Sequence, residues 1–123
     1  MSTQFTALVP MLPVSDVPAT IAFYEQLGFE VGNSYAAEGE DAPNWAWMQN
    51  GGAHLMLSKS CEPLNASHDG PSLWLYCKDV VATHASLRDR GLDVGEISYP
   101  FYNAAGEFHV HDPDGYAVFI SRA

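Results

Sequence analysis

Shifted by 63 residues, the chain aligns with itself without a gap: Ser15 to Gly32 (SDVPATIAFYEQLGFEVG) falls on Lys78 to Gly95 (KDVVATHASLRDRGLDVG). Identical pairs include Asp16/Asp79, Val17/Val80, Thr20/Thr83, Gly28/Gly91 and Gly32/Gly95, and the same shift carries Gly52 onto Gly115 and Ser58 onto Ser121. The register therefore persists to the end of each half. A repeat of this kind constrains architecture before local propensity does, because each copy is one supersecondary unit that buries its apolar face against others.

Each copy opens on a short apolar run, Thr6 to Leu12 and Ser72 to Cys77, which reads as a strand. Asp16 and Asp79 follow as N-caps, and Gly28 and Gly91 supply the positive-φ stop of the helices they begin. Val17, Ile21, Tyr24 and Leu27 recur at helical spacing in the first copy, as do Val80, His84 and Leu87 in the second. The spacing predicts three further strands per copy, at 29–35, 44–49 and 53–58 and at 92–98, 106–111 and 116–121, with Gly51-Gly52 and Asp112-Pro113-Asp114-Gly115 as turns between the last two. The unit is βαβββ. Residues 1–123 are expected to form one α+β domain of two such modules, about 1–60 and 70–123, joined by a Pro- and Gly-containing linker at 60–71.

A length of 123 residues suits one core, and 47% hydrophobic with 16% charged residues is a globular composition. Five Lys and Arg against 15 Asp and Glu give a net charge of −10, which repels phosphate backbones and anionic lipid and favours cationic ligands; no nucleic-acid or membrane partner is expected. Cys61 and Cys77 form no disulfide framework, the start Met1-Ser2-Thr3-Gln4 lacks a signal-peptide pattern, and no apolar stretch approaches a membrane span. A cytoplasmic setting is expected, in which the Asn65-Ala66-Ser67 sequon stays idle.

Three stretches, Val9-Pro10-Met11-Leu12-Pro13-Val14-Ser15-Asp16, Ala22-Phe23-Tyr24-Glu25-Gln26-Leu27-Gly28-Phe29 and Gly106 to Gly115 (GEFHVHDPDG), lie in this order on the repeat. Together they resemble the glyoxalase/bleomycin resistance/dioxygenase (vicinal oxygen chelate) superfamily, and in detail its bleomycin-resistance-protein-like branch. The resemblance implies a curved mixed sheet with helices on its convex face and a ligand cleft on the concave one. Enzymes of that superfamily hold a divalent ion with His or Glu at positions that correspond here to Val9, Met56, Ser72 and Phe119. These are poor donors for zinc, manganese, nickel or ferrous iron, so the resemblance implies no metal, no cofactor and no catalytic residue. Because side chains alternate along strands, Met11, His54, Ser58, Trp74, Tyr76, Ala117 and Ser121 are expected on the cleft side with those positions, and Leu55, Leu57, Leu73, Leu75, Val118 and Ile120 toward the helices. Carried over by position, Trp45 and Trp74 fall near the aromatic positions of the branch's cleft, and Phe101 and Tyr102 near its loop wall. The implied partner is a small, partly aromatic or cationic molecule, bound by a homodimer and sequestered rather than turned over.

The residues leave rivals open. Trp45 and Trp47 share one strand face; packing is the expected role of Trp47, whereas Trp45 suits core and cleft equally. His54 is inward by the same alternation, and a lone inward histidine is commonly a hydrogen-bonded core residue. Glu107, His109 and His111 share a strand face and could, with His54, rebuild a relocated metal site, although residues just before an Asp-Pro-Asp-Gly turn are expected to be exposed. An enzyme of the same superfamily built on that set, or on acid–base chemistry at His54, is the alternative; a metabolite-binding module is a further one.

Overall fold

The computed structural model describes residues 3–64 and 70–122. The sequon at Asn65 and the linker residue His68 lie outside them. In chain order the elements are β1 (Met11–Val14), α1 (Val17–Gln26), β2 (Glu30–Tyr35), β3 (Trp45–Asn50), β4 (Ala53–Lys59), β5 (Leu73–Cys77), α2 (Val80–Asp89), β6 (Glu107–His111) and β7 (Ala117–Arg122). The duplicated α+β architecture is present, and the mixed sheet is divided into two: β1-β4-β3-β2 and β5-β7-β6.

The helices begin where the repeat places them. Asp16 and Asp79 are extended residues whose carboxylates accept from the Ala19 and Ala82 amides, each at 3.0 Å, satisfying one of the free donors of the first turn. Gly28 and Gly91, at φ +96° and +91°, turn the chain out of each helix in a region closed to most side chains. Val17, Thr20 and Tyr24 of α1 and Val80 and Leu87 of α2 are buried against the sheets.

The register repeats too. Met11 pairs with Met56 in parallel β1 and β4, and Trp74, 63 residues on, pairs with Phe119 in parallel β5 and β7. Leu12, Val14, Ala46, Met48, Leu55 and Leu57 of the first sheet and Phe108, Val110, Val118 and Ile120 of the second are buried in one hydrophobic cluster that spans both modules. Leu73, Leu75 and Cys77 pack against it half-buried. Leu55, Leu57, Leu73, Leu75, Val118 and Ile120 thus lie on the packed side of β4, β5 and β7.

Two expectations are corrected. The first strand does not run from Thr6: Thr6 to Pro10 is irregular and the ladder starts at Met11, because Pro10 has no amide to give and contributes only its carbonyl, which accepts from Met56 N at 2.9 Å. The strand expected at 92–98 is reduced to a single bridge, Ser98 with Glu107, plus a Gly95 amide donating to the His109 carbonyl. Gly95 contributes no side chain to the ladder, and Leu92 and Val94 turn instead toward the core.

The modules interlock unequally. On one side the β6–β7 turn locks onto the β1–α1 junction: Tyr116, 2% exposed, donates its hydroxyl to the Pro13 carbonyl at 2.7 Å, Ser15 binds the Asp114 carboxylate through its amide and its hydroxyl, and Tyr24 donates to Asp112 at 3.4 Å. On the related side the 63-residue shift puts Ala53 where Tyr116 stands, Leu87 where Tyr24 stands and Tyr76 where Pro13 stands. A methyl and a leucine replace two phenols, and a concavity of about 640 Å³ remains there, bordered by Gly52, Ala53, Tyr76, Cys77 and Leu87.

Candidate ligand cleft

Alternation sorts each strand into a buried face and an open one. On the first sheet the open face carries one cross-strand row, Asn33–Trp47–Met56–Met11. On the second the corresponding row is His109–Phe119–Trp74. Trp74 and Phe119 stack with centroids 4.5 Å apart and planes 9° from parallel, and His109 leans on Phe119 at 5.3 Å. Trp74 is 39% exposed, so one side of the stack has a partner and the other meets solvent. Offset stacking is the preferred geometry of such rings, and an exposed face of this kind accepts a further flat group.

Trp47 is corrected by this register: it lies half-exposed on the open face, while Ala46 and Met48, its neighbours in sequence, fill the core. Because Ala46 and Met48 are apolar as well, the alternation that signals the facing of a strand was absent from this stretch. Trp47 Nε1 donates to His54 Nδ1 at 3.3 Å, and the rings lie 5.7 Å apart. That contact fixes His54 as a hydrogen-bonded neighbour of an aromatic ring.

The remaining residues expected at the cleft divide between the sheets. Met11, Trp45, His54 and Met56 belong to the first, and Trp74, Tyr76 and Phe119 to the second, with Phe101 and Tyr102 on the turn that follows Ser98. Phe101 is fully exposed and meets Tyr102 edge-on at 5.5 Å. Besides the 640 Å³ concavity, a second one of about 430 Å³ lies between Leu8, Pro10 and His54 on one side and Ser72, Leu73 and Trp74 on the other. Trp74 borders both. Met11, Trp45, Met56, Phe101, Tyr102 and Phe119 line neither; they lie on the open faces of the two sheets and on the turn after Ser98.

The set His54, Glu107, His109 and His111 is not assembled as a cluster. His54 is on the first sheet, and the other three are on β6, where His109 and His111 meet edge-on at 5.2 Å. Among the described residues, no three His, Cys, Asp or Glu side chains are placed to hold a metal ion. Val9 and Ser72 lie at the feet of the two first strands, and Met56 and Phe119 mid-way along the last strands of their modules.

Glu107 and Ser121 also depart from expectation: both are buried, although their side of the strand is open. The 99–105 segment covers them. Tyr102 donates to Glu107 Oε1 at 2.6 Å, and Asn103 Nδ2 donates to Ser121 Oγ at 2.8 Å. The bond to Glu107 holds the Tyr102 hydroxyl above the usual phenol range, since the carboxylate favours the protonated phenol. At the module junction, burial first and the Asp112 charge second raise the Tyr24 hydroxyl, and burial raises Asp112 itself against the amides of Tyr116 and Asp114 that hold its ionised form. No sequence signal marked Asp112 and Tyr116 as this junction beyond the turn motif they flank.

A family model described as Glyoxalase/Bleomycin resistance protein/Dioxygenase superfamily matches residues 6–120. The chain belongs to this superfamily. Among solved structures, the superfamily fold of this chain is similar to a bleomycin-binding protein complexed with bleomycin (20% identity, TM-score 0.78, covering 97% of this chain and 99% of that one). It is similar to a bleomycin resistance determinant encoded on the transposon Tn5 (21% identity, TM-score 0.78, 96% and 98% covered) and to the bleomycin-binding protein from bleomycin-producing Streptomyces verticillus complexed with copper(II)-bleomycin (24%, 0.75, 99% and 99%). No curated protein matches the chain by sequence. Superfamily membership establishes the scaffold, whereas activity depends on the side chains it carries. No helix among the described residues is long and apolar enough to cross a membrane.

Proposed function

We propose that this protein is a metal-independent binder that sequesters a planar, partly cationic antibiotic-like molecule in the cytoplasm, as a homodimer of single-domain chains. The observation that carries the reading is the Trp74–Phe119 stack with its outer face free, extended by His109 and set in a chain of net charge −10. Stacking and cation–π attraction hold such a ligand without chemistry. The solved structures similar in fold include proteins complexed with bleomycin and copper(II)-bleomycin, which supports an antibiotic as the ligand. Support for pairing comes from the apolar groups left uncovered: Phe5, Leu8, Met11, Tyr76 and Phe101 are all exposed, on the N-terminal segment, the edge strands and the turn beside them. Exposed large apolar side chains favour association, and a second copy covering the open faces would turn them into cleft walls.

The test is a titration of the protein's tryptophan fluorescence with bleomycin and with planar aromatic cations, alongside the Trp74→Ala variant. Quenching that saturates, with Trp74→Ala weakening it by about tenfold or more, is the expected outcome. Equal affinity of variant and wild type would remove the stack from the site, and one firmly held transition-metal ion per purified chain would end the metal-independent reading.

A further inference from the structure

The two module junctions are related by the 63-residue shift, yet a phenol fills only one of them. There the outer edge of β1 is served by a side chain. Pro10 and Val14 turn their carbonyls toward β4, accepting from Met56 N at 2.9 Å and Ser60 N at 2.8 Å, so by alternation Pro13 turns its carbonyl outward. The Tyr116 hydroxyl donates to it at 2.7 Å. At the other junction Tyr76 holds the position of Pro13: it pairs with Ser121 in parallel β5 and β7 as Pro13 pairs with Ser58 in β1 and β4. Among the described strands β5 pairs with β7 alone. The Tyr76 carbonyl and, unlike that of a proline, its amide therefore face the outer edge of β5, where an unpaired strand offers both groups to a partner. That edge borders the 640 Å³ concavity, and the buried side chains of Phe29, Leu87 and Ile120 line it as well.

We propose that this concavity is a second ligand site, which takes a neutral phenol of one or two rings with its hydroxyl on the Tyr76 edge, as the Tyr116 hydroxyl sits on Pro13. A hydroxyl donates and accepts at once, so one group serves the carbonyl and the amide of Tyr76 together. An aryl ether has no proton for the carbonyl, and an ammonium has no lone pair for the amide. The rings pack on Phe29, Leu87 and Ile120, where the shift has put Leu87 in place of Tyr24 and Ala53 in place of Tyr116. The volume lies within the roughly 300–1,000 Å³ common to small-molecule sites. Among the described residues, none that borders the concavity is charged, so a neutral guest suits it better than the cation expected at the stacked face. The site is separate from that face: Trp74 borders it, but Phe119 and His109 do not.

The experiment titrates 2-naphthol and its methyl ether, 2-methoxynaphthalene, into nitrogen-15-labelled wild type and Ala53→Tyr, with amide shifts followed by NMR and both proteins melted by circular dichroism. Because Ala53 stands at the place of Tyr116, a tyrosine there supplies the phenol from the chain itself. In wild type 2-naphthol is expected to shift the amides of Gly52, Ala53, Tyr76 and Thr83 and to bind about fivefold or more tighter than the ether. In Ala53→Tyr those shifts are expected to be lost while the melting midpoint stays at or above that of wild type. Equal affinity of wild type for the two probes overturns the role of the Tyr76 edge. Shifts confined to Met56, Trp74 and Phe119, no binding of 2-naphthol, or undiminished shifts in a folded Ala53→Tyr overturn the site, and none of these touches the stacking reading. Where Ala53→Tyr does not fold, the wild-type shift map and the preference over the ether decide.

Discussion

Removal of one hydroxyl at the module junction is expected to lower the melting temperature measurably. In Tyr116→Phe the ring stays in its buried site and only the 2.7 Å bond to the Pro13 carbonyl is lost. Pro13 lies at an exposed position, so water can take the place of the phenol on that carbonyl. The loss is then the net value of one neutral hydrogen bond, about 1 kcal/mol, instead of the larger penalty of an orphaned acceptor. Unfolding entropy of roughly 2.1 cal/mol/K per residue near 60 °C, over 123 residues, converts 1 kcal/mol to about 4 °C. The matched control is Tyr76→Phe, the same chemical change on an exposed edge-strand residue, expected to shift the midpoint by less than about 2 °C. Circular dichroism melts at one fixed protein concentration decide the matter. Equal midpoints for Tyr116→Phe and wild type would refute the claim that this bond ties the modules together, and a drop beyond about 12 °C would show that the phenol does more than donate to Pro13.

Three further outcomes follow from the same geometry. Asp16→Ala and Asp79→Ala each lose the carboxylate that caps a helix, and each should cost about 1 kcal/mol, near 4 °C, in the same melts; a silent Asp16→Ala would mean that α1 is held by its packing alone. Asp112, raised from its usual value by burial, binds a proton more readily folded than unfolded, so its contribution to stability is fullest below the unfolded carboxylate pKa and declines as pH rises through its raised folded value. The stability of wild type relative to Asp112→Asn should therefore fall as pH rises above the unfolded carboxylate pKa, as followed by urea denaturation, and a difference that rises with pH would contradict burial as the leading cause. Leu57→Ala removes a wholly buried side chain from an inner strand of the first sheet and should cost about 2–5 kcal/mol by the same denaturation measurement; less than ~1 kcal/mol would place Leu57 outside the core.

Much of the scaffold was legible because its causes are local and occur twice. Asp16 and Asp79 cap, Gly28 and Gly91 stop, and large aliphatic residues recur at every second position of β4, β5 and β7; each signal needs only its sequence neighbours, and the 63-residue shift checks one copy against the other. The site was less legible where that local contrast failed. Trp47 could not be assigned a face because Ala46 and Met48 beside it are equally apolar. Glu107 reads as an exposed residue near a turn, and only a loop arriving from Tyr99 to Ala105 buries it.

What the sequence alone determined is the duplicated α+β unit, its caps and stops, and the side of each strand on which most cleft candidates lie, since backbone geometry and period-two alternation act over a few residues. The tertiary structure alone decided that the sheet divides in two, that the strand expected at 92–98 shrinks to a bridge, and that Tyr116 fills one module junction while Ala53 leaves its counterpart open. It also brought Trp74 face to face with Phe119 and left one oxygen of Glu107 without a donor. Those outcomes depend on which groups meet across tens of residues of chain, where shape and hydrogen-bond satisfaction select the arrangement and no local pattern records it.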